Sequence, residues 1–195
     1  MILTGKTNEY LIALGSNIES RISFITQALD KIQQRCGSMG AMGSLLESAP
    51  LGPSQHQFLN TAIHLYSDLS PAALLDTLQK IESELGRTRT MKWADRTIDL
   101  DIILWRNKAG ICETVATENL LIPHPEFINR DFVLLPCSQI EPNWLPPGDV
   151  RTLKKLYDDS QEDGRSKNIL KLLTTEVFFP IHPSFADSKP GSVSL

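Results

Sequence analysis

One run of ten residues limits what this chain can fold into more than any other: Arg96-Thr97-Ile98-Asp99-Leu100-Asp101-Ile102-Ile103-Leu104-Trp105. Its alternation fits a β-strand, with Ile98, Leu100 and Ile102 on one face and Asp99 and Asp101 on the other. One face asks for burial, while the other carries two carboxylates roughly 7 Å apart that repel each other. Aspartate is depleted in strands, so an apolar strand does not carry such a pair for stability. Two readings are open. The acidic face is the solvated side of a half-buried edge strand, or it is a seat for a hard divalent cation. Mg²⁺ takes carboxylate oxygens and leaves room for substrate phosphates.

The residues just ahead favour the second reading. Arg87, Arg89 and Lys92 precede Arg96, and Trp93 lies among them. Arginine presents a planar fork of donors to phosphate oxygens, lysine a compact point charge, and an indole a flat surface for a heteroaromatic ring. A cationic loop alone is commonly solvated surface. Beside Asp-x-Asp it matches what transfer from a polyphosphate requires, since catalysis there is mostly positioning and charge neutralisation.

With 195 residues the chain can bury one substantial core but not two comfortable ones. Apolar residues make up 41% and charged residues 22%, the composition of a soluble globular protein. A net charge of −4 argues against a nucleic-acid protein with an overall basic surface. Cys36, Cys112 and Cys137 are odd in number and in no metal-ligand spacing, which fits packing residues in a reducing cytoplasm. The opening MILTGKTNEY has no apolar leader, and no stretch reaches the length of a membrane span. The expectation is therefore a cytoplasmic protein with no nucleic-acid or membrane partner.

Periodicity supplies the element order. Tyr10 to Leu14 reads as a strand closed by Gly15-Ser16-Asn17, and Ile22, Ile25, Leu29 and Ile32 mark a helix over about 20–35 that ends at Cys36-Gly37. A second strand is expected over Ser44 to Ser48 and a third over Phe58 to Tyr66, with Phe58, Asn60 and Ala62 on one face. Ser70-Pro71 starts a helix that presents Leu74, Leu78, Ile81 and Leu85 to the core and stops at Gly86. Leu75, Gln79 and Glu82 share a neighbouring stripe of it. With the acidic strand, the order is βαββαβ. That predicts an α+β, ferredoxin-like core, an antiparallel sheet with helices on its faces, plus C-terminal additions. Those additions include a strand near Ile111–Val115, a helix over about Asn129–Gln139 and a short helix over Leu153–Tyr157. A catalytic domain is thus expected over 1–157. Residues 158–195 read as an extension that opens with a polar linker to Asn168 and is partly disordered or packs back through the apolar residues from Ile169.

Taken in order, these segments resemble 6-hydroxymethyl-7,8-dihydropterin pyrophosphokinase, a family of folate biosynthesis, over about residues 9–157. The anchors are Tyr10-Leu11-Ile12-Ala13-Leu14-Gly15-Ser16-Asn17, Ser48-Ala49-Pro50-Leu51-Gly52, Phe58-Leu59-Asn60, Gln79-Lys80-Ile81-Glu82 with Gly86-Arg87, Lys92 through Asp101, and Pro123-His124-Pro125 with Asn129-Arg130-Asp131-Phe132. The resemblance implies that a hydroxymethyl oxygen attacks the β-phosphorus of MgATP, with AMP leaving. It implies two Mg²⁺ ions on Asp99 and Asp101, and Arg89, Arg96 and Asp101 at the reacting groups. It implies a pterin held by Ser48, Leu51, Phe58, Asn60, Trp93 and Phe132. ATP falls to Leu75, Gln79, Glu82, Lys92, Arg96, Ile102, His124 and Arg130. Read singly, Gln79 and Glu82 also suit a solvated helix stripe, His124 a turn, and Phe132 and Trp93 a core.

The chain departs from the family pattern at Ala94-Asp95, where Gly-Pro is usual, and Asp95 puts a negative charge beside a triphosphate. Asn119 and Leu121 stand where some members use Arg and Thr. Two other functions stay open at this point. One is a paralogue of the same fold acting on another small alcohol; the other is a non-catalytic ligand-binding module.

Overall fold

The computed structural model describes residues 7–18, 20–50, 55–87, 95–164 and 167–173. In chain order the elements are β1 (Asn8–Ser16), α1 (Arg21–Arg35), β2 (Ser38–Met42), β3 (Leu46–Ser48), β4 (Phe58–Ser67), α2 (Pro71–Glu84), β5 (Asp99–Arg106), β6 (Val115–Ala116), β7 (Leu121–Ile122), α3 (Asp131–Ile140), α4 (Leu153–Glu162) and β8 (Ile169–Leu172). The main sheet runs β5-β1-β4-β3-β8, with β2 pairing separately to β4, and its named pairs are all antiparallel.

Period-two alternation divides the buried residues between two faces. Tyr10, Ile12, Leu14, Leu59, Ile63, Leu65, Leu100 and Ile102 pack with Ile25, Ala28 and Ile32 of α1 and Leu74, Leu78 and Ile81 of α2. Leu11, Ala13, Ala62, Ile103 and Leu104 pack on the other face with Val133 and Leu134 of α3 and Leu153 and Leu156 of α4. Each fully buried leucine among them contributes about 1.5–3 kcal/mol of burial free energy. Ile22 is 63% exposed, so the buried stripe of α1 begins at Ile25 and uses Ala28 instead.

A bulge in β5 decides where the alternation stops. Ile12 pairs with Ile102 but Leu11 pairs with Leu104, leaving Ile103 as the extra residue. Asp99 and Asp101 therefore keep the α3 side, and beyond the bulge Leu104 also turns to that side. Trp105 turns back to stack on Tyr10, with ring centroids 6.5 Å apart.

α2 begins as its sequence indicates, with Ser70 Oγ accepting from Ala73 N and Pro71 in the first turn. Two expectations need correction. The strand expected near Ile111–Val115 is only an isolated Arg106–Cys112 bridge followed by β6, which pairs with β7. The stretch read as a linker from Asp158 is helical to Glu162. Lys154–Asp158 and Lys155–Asp159 pairs span its exposed side, while Leu153, Leu156 and Ser160 form a buried stripe. β2 was not legible as a strand. Among the described residues no helix is long and apolar enough to cross a membrane.

Candidate active site

Cross-strand pairing assembles the site. Gly15 of β1 lies between Asp99 of β5 and Asn60 of β4, and Asn60 pairs in turn with Leu46 of β3. One step along, Ser48 faces Phe58, and Ala13 lies between Asp101 and Ala62. Directly opposed residues project to the same side of a sheet, so Asp99, Asp101, Asn60, Phe58 and Ser48 share the face covered by α3. Gly15 is needed for closeness rather than for turning. A Cβ there would stand 2.9 Å from Asn60 Oδ1 and 3.6 Å from Phe58 Cδ1. The buried Asn60 Nδ2 donates to Ser48 Oγ at 2.8 Å, which fixes the amide plane.

Two cavities meet here. The inner one has Gly15, Ser48, Phe58 and Asn60 as its floor and Phe132 and Val133 of α3 as its cover. The outer one, of about 300 Å³, lies between Leu75, Gln79 and Glu82 of α2 on one side and His124 and Arg130 on the other. Arg96, Asp99 and Asp101 line both. The acidic pair thus stands at the junction of a flat, mostly apolar slot and a polar, cationic cleft.

Arginines hold one carboxylate of the pair. Asp99 Oδ1 accepts from Arg87 Nη1 at 2.7 Å, and its Oδ2 accepts from Arg96. Arg87 also pairs with the buried Glu82, whose Oε1 accepts from Leu100 N at 2.8 Å and so ties α2 to β5. Burial pushes the Glu82 carboxyl above its usual range, and Arg87 opposes the shift. Asp101 has no arginine within ion-pair distance among the described residues. Its carboxyl is pushed upward by desolvation first and by the charge of Asp99 second.

His124 is placed by its own main chain, N–H to Ile103 O at 3.0 Å, after the cis Ile122–Pro123 peptide. Its Nδ1 accepts from Glu126 N at 3.2 Å, which leaves the ring proton on Nε2, 3.8 Å from Asp101 Oδ2. Burial and Arg130 both lower its pKa, so the ring is neutral near pH 7.

Arg96 is pinned at its backbone. Asn17 Oδ1 accepts from Arg96 N at 2.6 Å, and Asn17 N donates to Arg96 O at 3.2 Å. Asp95 lines neither cavity. Its carboxylate is taken by Asn17 Nδ2 at 2.7 Å and His56 Nδ1 at 2.9 Å, so the negative charge expected beside the triphosphate is turned aside.

Of the residues singled out from sequence, the inner cavity unites Ser48, Phe58, Asn60 and Phe132, and the outer one Leu75, Gln79, Glu82, His124 and Arg130. Ile102 stands apart from them. Its side chain is 4% exposed, packs in the α1/α2 core and lines neither cavity, because strand alternation sends it to the face opposite Asp101. Leu51, Arg89, Lys92 and Trp93 lie outside the described residues. Arg87, Gly15 and Asn17 were not singled out as site residues. Gly86-Arg87 and Gly15-Ser16-Asn17 stood in the quoted segments, but only three-dimensional pairing shows what they hold.

A mostly apolar slot and a polar, arginine-bearing cleft that share a carboxylate pair suit a phosphate-group transferase with two adjoining substrate sites. Comparison narrows the class. The family described as 7,8-dihydro-6-hydroxymethylpterin-pyrophosphokinase (HPPK) matches residues 11–142. The chain is 42% identical over 136 residues to the 2-amino-4-hydroxy-6-hydroxymethyldihydropteridine pyrophosphokinase of Bacillus subtilis, covering 67% of this chain and 78% of that protein. It is 39% identical over 152 residues to the enzyme of the same name from Haemophilus influenzae, covering 76% and 92%. The chain belongs to the HPPK family. A crystal structure of Plasmodium falciparum HPPK-DHPS shares the fold, with a TM-score of 0.61 at 14% identity; the match covers 82% of this chain and 46% of that longer one.

Proposed function

We propose that the chain transfers pyrophosphate from ATP to the hydroxymethyl group of 6-hydroxymethyl-7,8-dihydropterin, releasing AMP, as a cytoplasmic step of folate biosynthesis. The observation that carries this reading is that Arg96, Asp99 and Asp101 line both cavities. A group bound in one cavity can therefore meet a group bound in the other at that wall.

The inner cavity suits the pterin. Phe132 and Phe58 offer ring faces, and Asn60 offers an amide to the polar edge while Ser48 holds it in plane. By the family resemblance Trp93 would add a further ring. Leu51 would add main-chain polar groups. The outer cavity suits the nucleotide. Leu75, Gln79 and Glu82 form one wall, His124 and Arg130 the other, and Ile102 can serve only through its main chain. Arg96 and Arg130, with Arg89 and Lys92, neutralise phosphate oxygens.

The donor set fits Mg²⁺. Asp99 and Asp101 are oxygen ligands facing one cleft, and the upward pull on the Asp101 carboxyl is the conflict a hard cation removes. Two ions held there would supply charge neutralisation across the triphosphate. In the transfer, the substrate oxygen forms a bond to the β-phosphorus, the bond from that phosphorus to the α–β bridging oxygen breaks, and AMP takes the electron pair. Asp101, shared by both cavities and with no arginine within ion-pair distance among the described residues, would accept the hydroxyl proton.

The strand order supports a ferredoxin-like βαββαβ core in which β2 and β3 are two halves of one strand. We read α4 and β8 as parts of the catalytic unit, which moves its boundary beyond residue 157. The test is to incubate the protein with MgATP and the dihydropterin alcohol and resolve the nucleotides. AMP with a diphosphorylated pterin is expected. ADP, turnover only with another alcohol, or no turnover would overturn the reading.

A further inference from the structure

β8 lies beyond the family match, which ends at residue 142, yet it pairs with β3, whose Ser48 lines the inner cavity. It pairs with β3 through Ser48–Ile169, Glu47–Lys171 and Leu46–Leu172. The ladder continues at both ends, Ala49 N donating to Asn168 O at 2.8 Å and Leu173 N to Leu45 O at 2.9 Å. Ser48 and Ala49, which line the cavity, are thus held from outside by the C-terminal segment.

The same segment is tied to the opposite wall. Asp131, in the first turn of α3, is 2% exposed. Its Oδ2 accepts from the backbone N–H of Asn168 at 2.8 Å and of Ile169 at 3.3 Å, while Oδ1 accepts from Phe132 N at 2.8 Å. A buried carboxylate is costly unless its oxygens are satisfied, and bonds from amide donors to a charged acceptor are among the stronger ones. Asp131 sits between Arg130 of the outer cavity and Phe132 of the inner one.

We propose that Asp131 and β8 form a strap that sets the spacing between the Ser48–Ala49 edge and Phe132, and so act as positioning residues for the flat substrate. The strap fastens to β3 through main-chain pairing and to α3 through one carboxylate. Releasing the carboxylate frees the first turn of α3 from β3, and the slot loses its fixed width. Among the described residues the strap makes no hydrogen bond to the α2 wall of the outer cavity and reaches that cavity only through Arg130, next to Asp131, so the pterin should respond more than the nucleotide. This inference rests on the pterin occupying the inner cavity.

Two variants approach the strap from opposite ends: Asp131→Ala removes the acceptor, and Ile169→Pro removes a donor and the strand pairing around it. Binding of 6-hydroxymethylpterin and of a non-hydrolysable ATP analogue with Mg²⁺ is measured separately by calorimetry, with circular dichroism as the check on folding. Each variant is expected to weaken pterin binding and raise its KM by about tenfold or more, with nucleotide binding changed less than about twofold. The double variant should be little worse than either single one, since both cut the same strap. Unchanged pterin affinity in both variants, or an equal fall for both ligands, would overturn the proposal. If the unmodified chain bound the nucleotide but no pterin, the assignment of the inner cavity would fail first, and the strap's role with it.

Discussion

Asn17 and the main chain of Arg96 are joined in both directions: the side-chain Oδ1 of Asn17 accepts from Arg96 N at 2.6 Å, and the backbone N of Asn17 donates to Arg96 O at 3.2 Å. Asn17 follows β1 and Arg96 precedes β5, so this pairing sets where the arginine shared by the two cavities begins. Asn17→Ala leaves Arg96 N–H without its acceptor in a site that is 3% exposed at Asn17. A loss of about 1–3 kcal/mol of stability is expected, together with a fall in kcat/KM. By contrast His56→Ala removes a partner of Asp95 that is 67% exposed, and should change stability by less than about 1 kcal/mol. Urea unfolding of the two variants side by side checks the contrast.

Gly15→Ala tests the closeness of the floor. Its Cβ would stand 2.9 Å from Asn60 Oδ1, so the amide must shift and the Asn60–Ser48 bond with it. The expected result is a folded protein, destabilised by about 1–3 kcal/mol, with weaker pterin binding. Nucleotide binding, proposed at the α2 wall, should be retained.

At the far end of the sheet, His64 Nδ1 meets Glu141 Oε1 at 3.1 Å. That hydrogen bond is the first cause holding the Glu141 carboxyl below its usual value of 4.5. A carboxyl whose folded pKa lies below its unfolded one contributes stability at higher pH, and loses it as pH falls through that range. Thermal melts should therefore drop more steeply below about pH 5 in the unmodified chain than in Glu141→Gln. Parallel slopes would remove Glu141 from the acid limb.

The seat of α3 gives a packing test. Leu134 is fully buried in the core that the sheet shares with α3 and α4. Leu134→Ala should cost about 2–5 kcal/mol by chemical denaturation. Because Phe132 is two residues away on the same helix, pterin affinity should fall as well.

Much of this architecture could be read from periodicity, and the reasons for the failures are physical. α1 and α2 each bury one stripe, and β1, β4 and β5 divide apolar residues between the two sides of the sheet, so these elements stand out. β2 reads Ser-Met-Gly-Ala-Met, with no β-branched residue, and is a strand because β4 offers it an open edge. β8 likewise depends on a partner more than a hundred residues earlier in the chain. The polar run after Asp158 hides a helix whose buried stripe is only Leu153, Leu156 and Ser160. In the site, residue types were legible but pairings were not. Arg87 gains its role from bridging Glu82 and Asp99, residues on different elements. Ile102 shows the reverse: alternation puts its side chain on the core side of β5, so only its main chain faces the cleft side.

Transfer is proposed to occur at the wall formed by Asp99 and Asp101. Single-turnover formation of AMP by Asp101→Ala, with MgATP and the dihydropterin alcohol both saturating, tests it most directly. The protein should fold and bind the pterin, while the rate of AMP formation falls by on the order of 10²-fold or more. AMP formed at nearly the unmodified rate would contradict the claim.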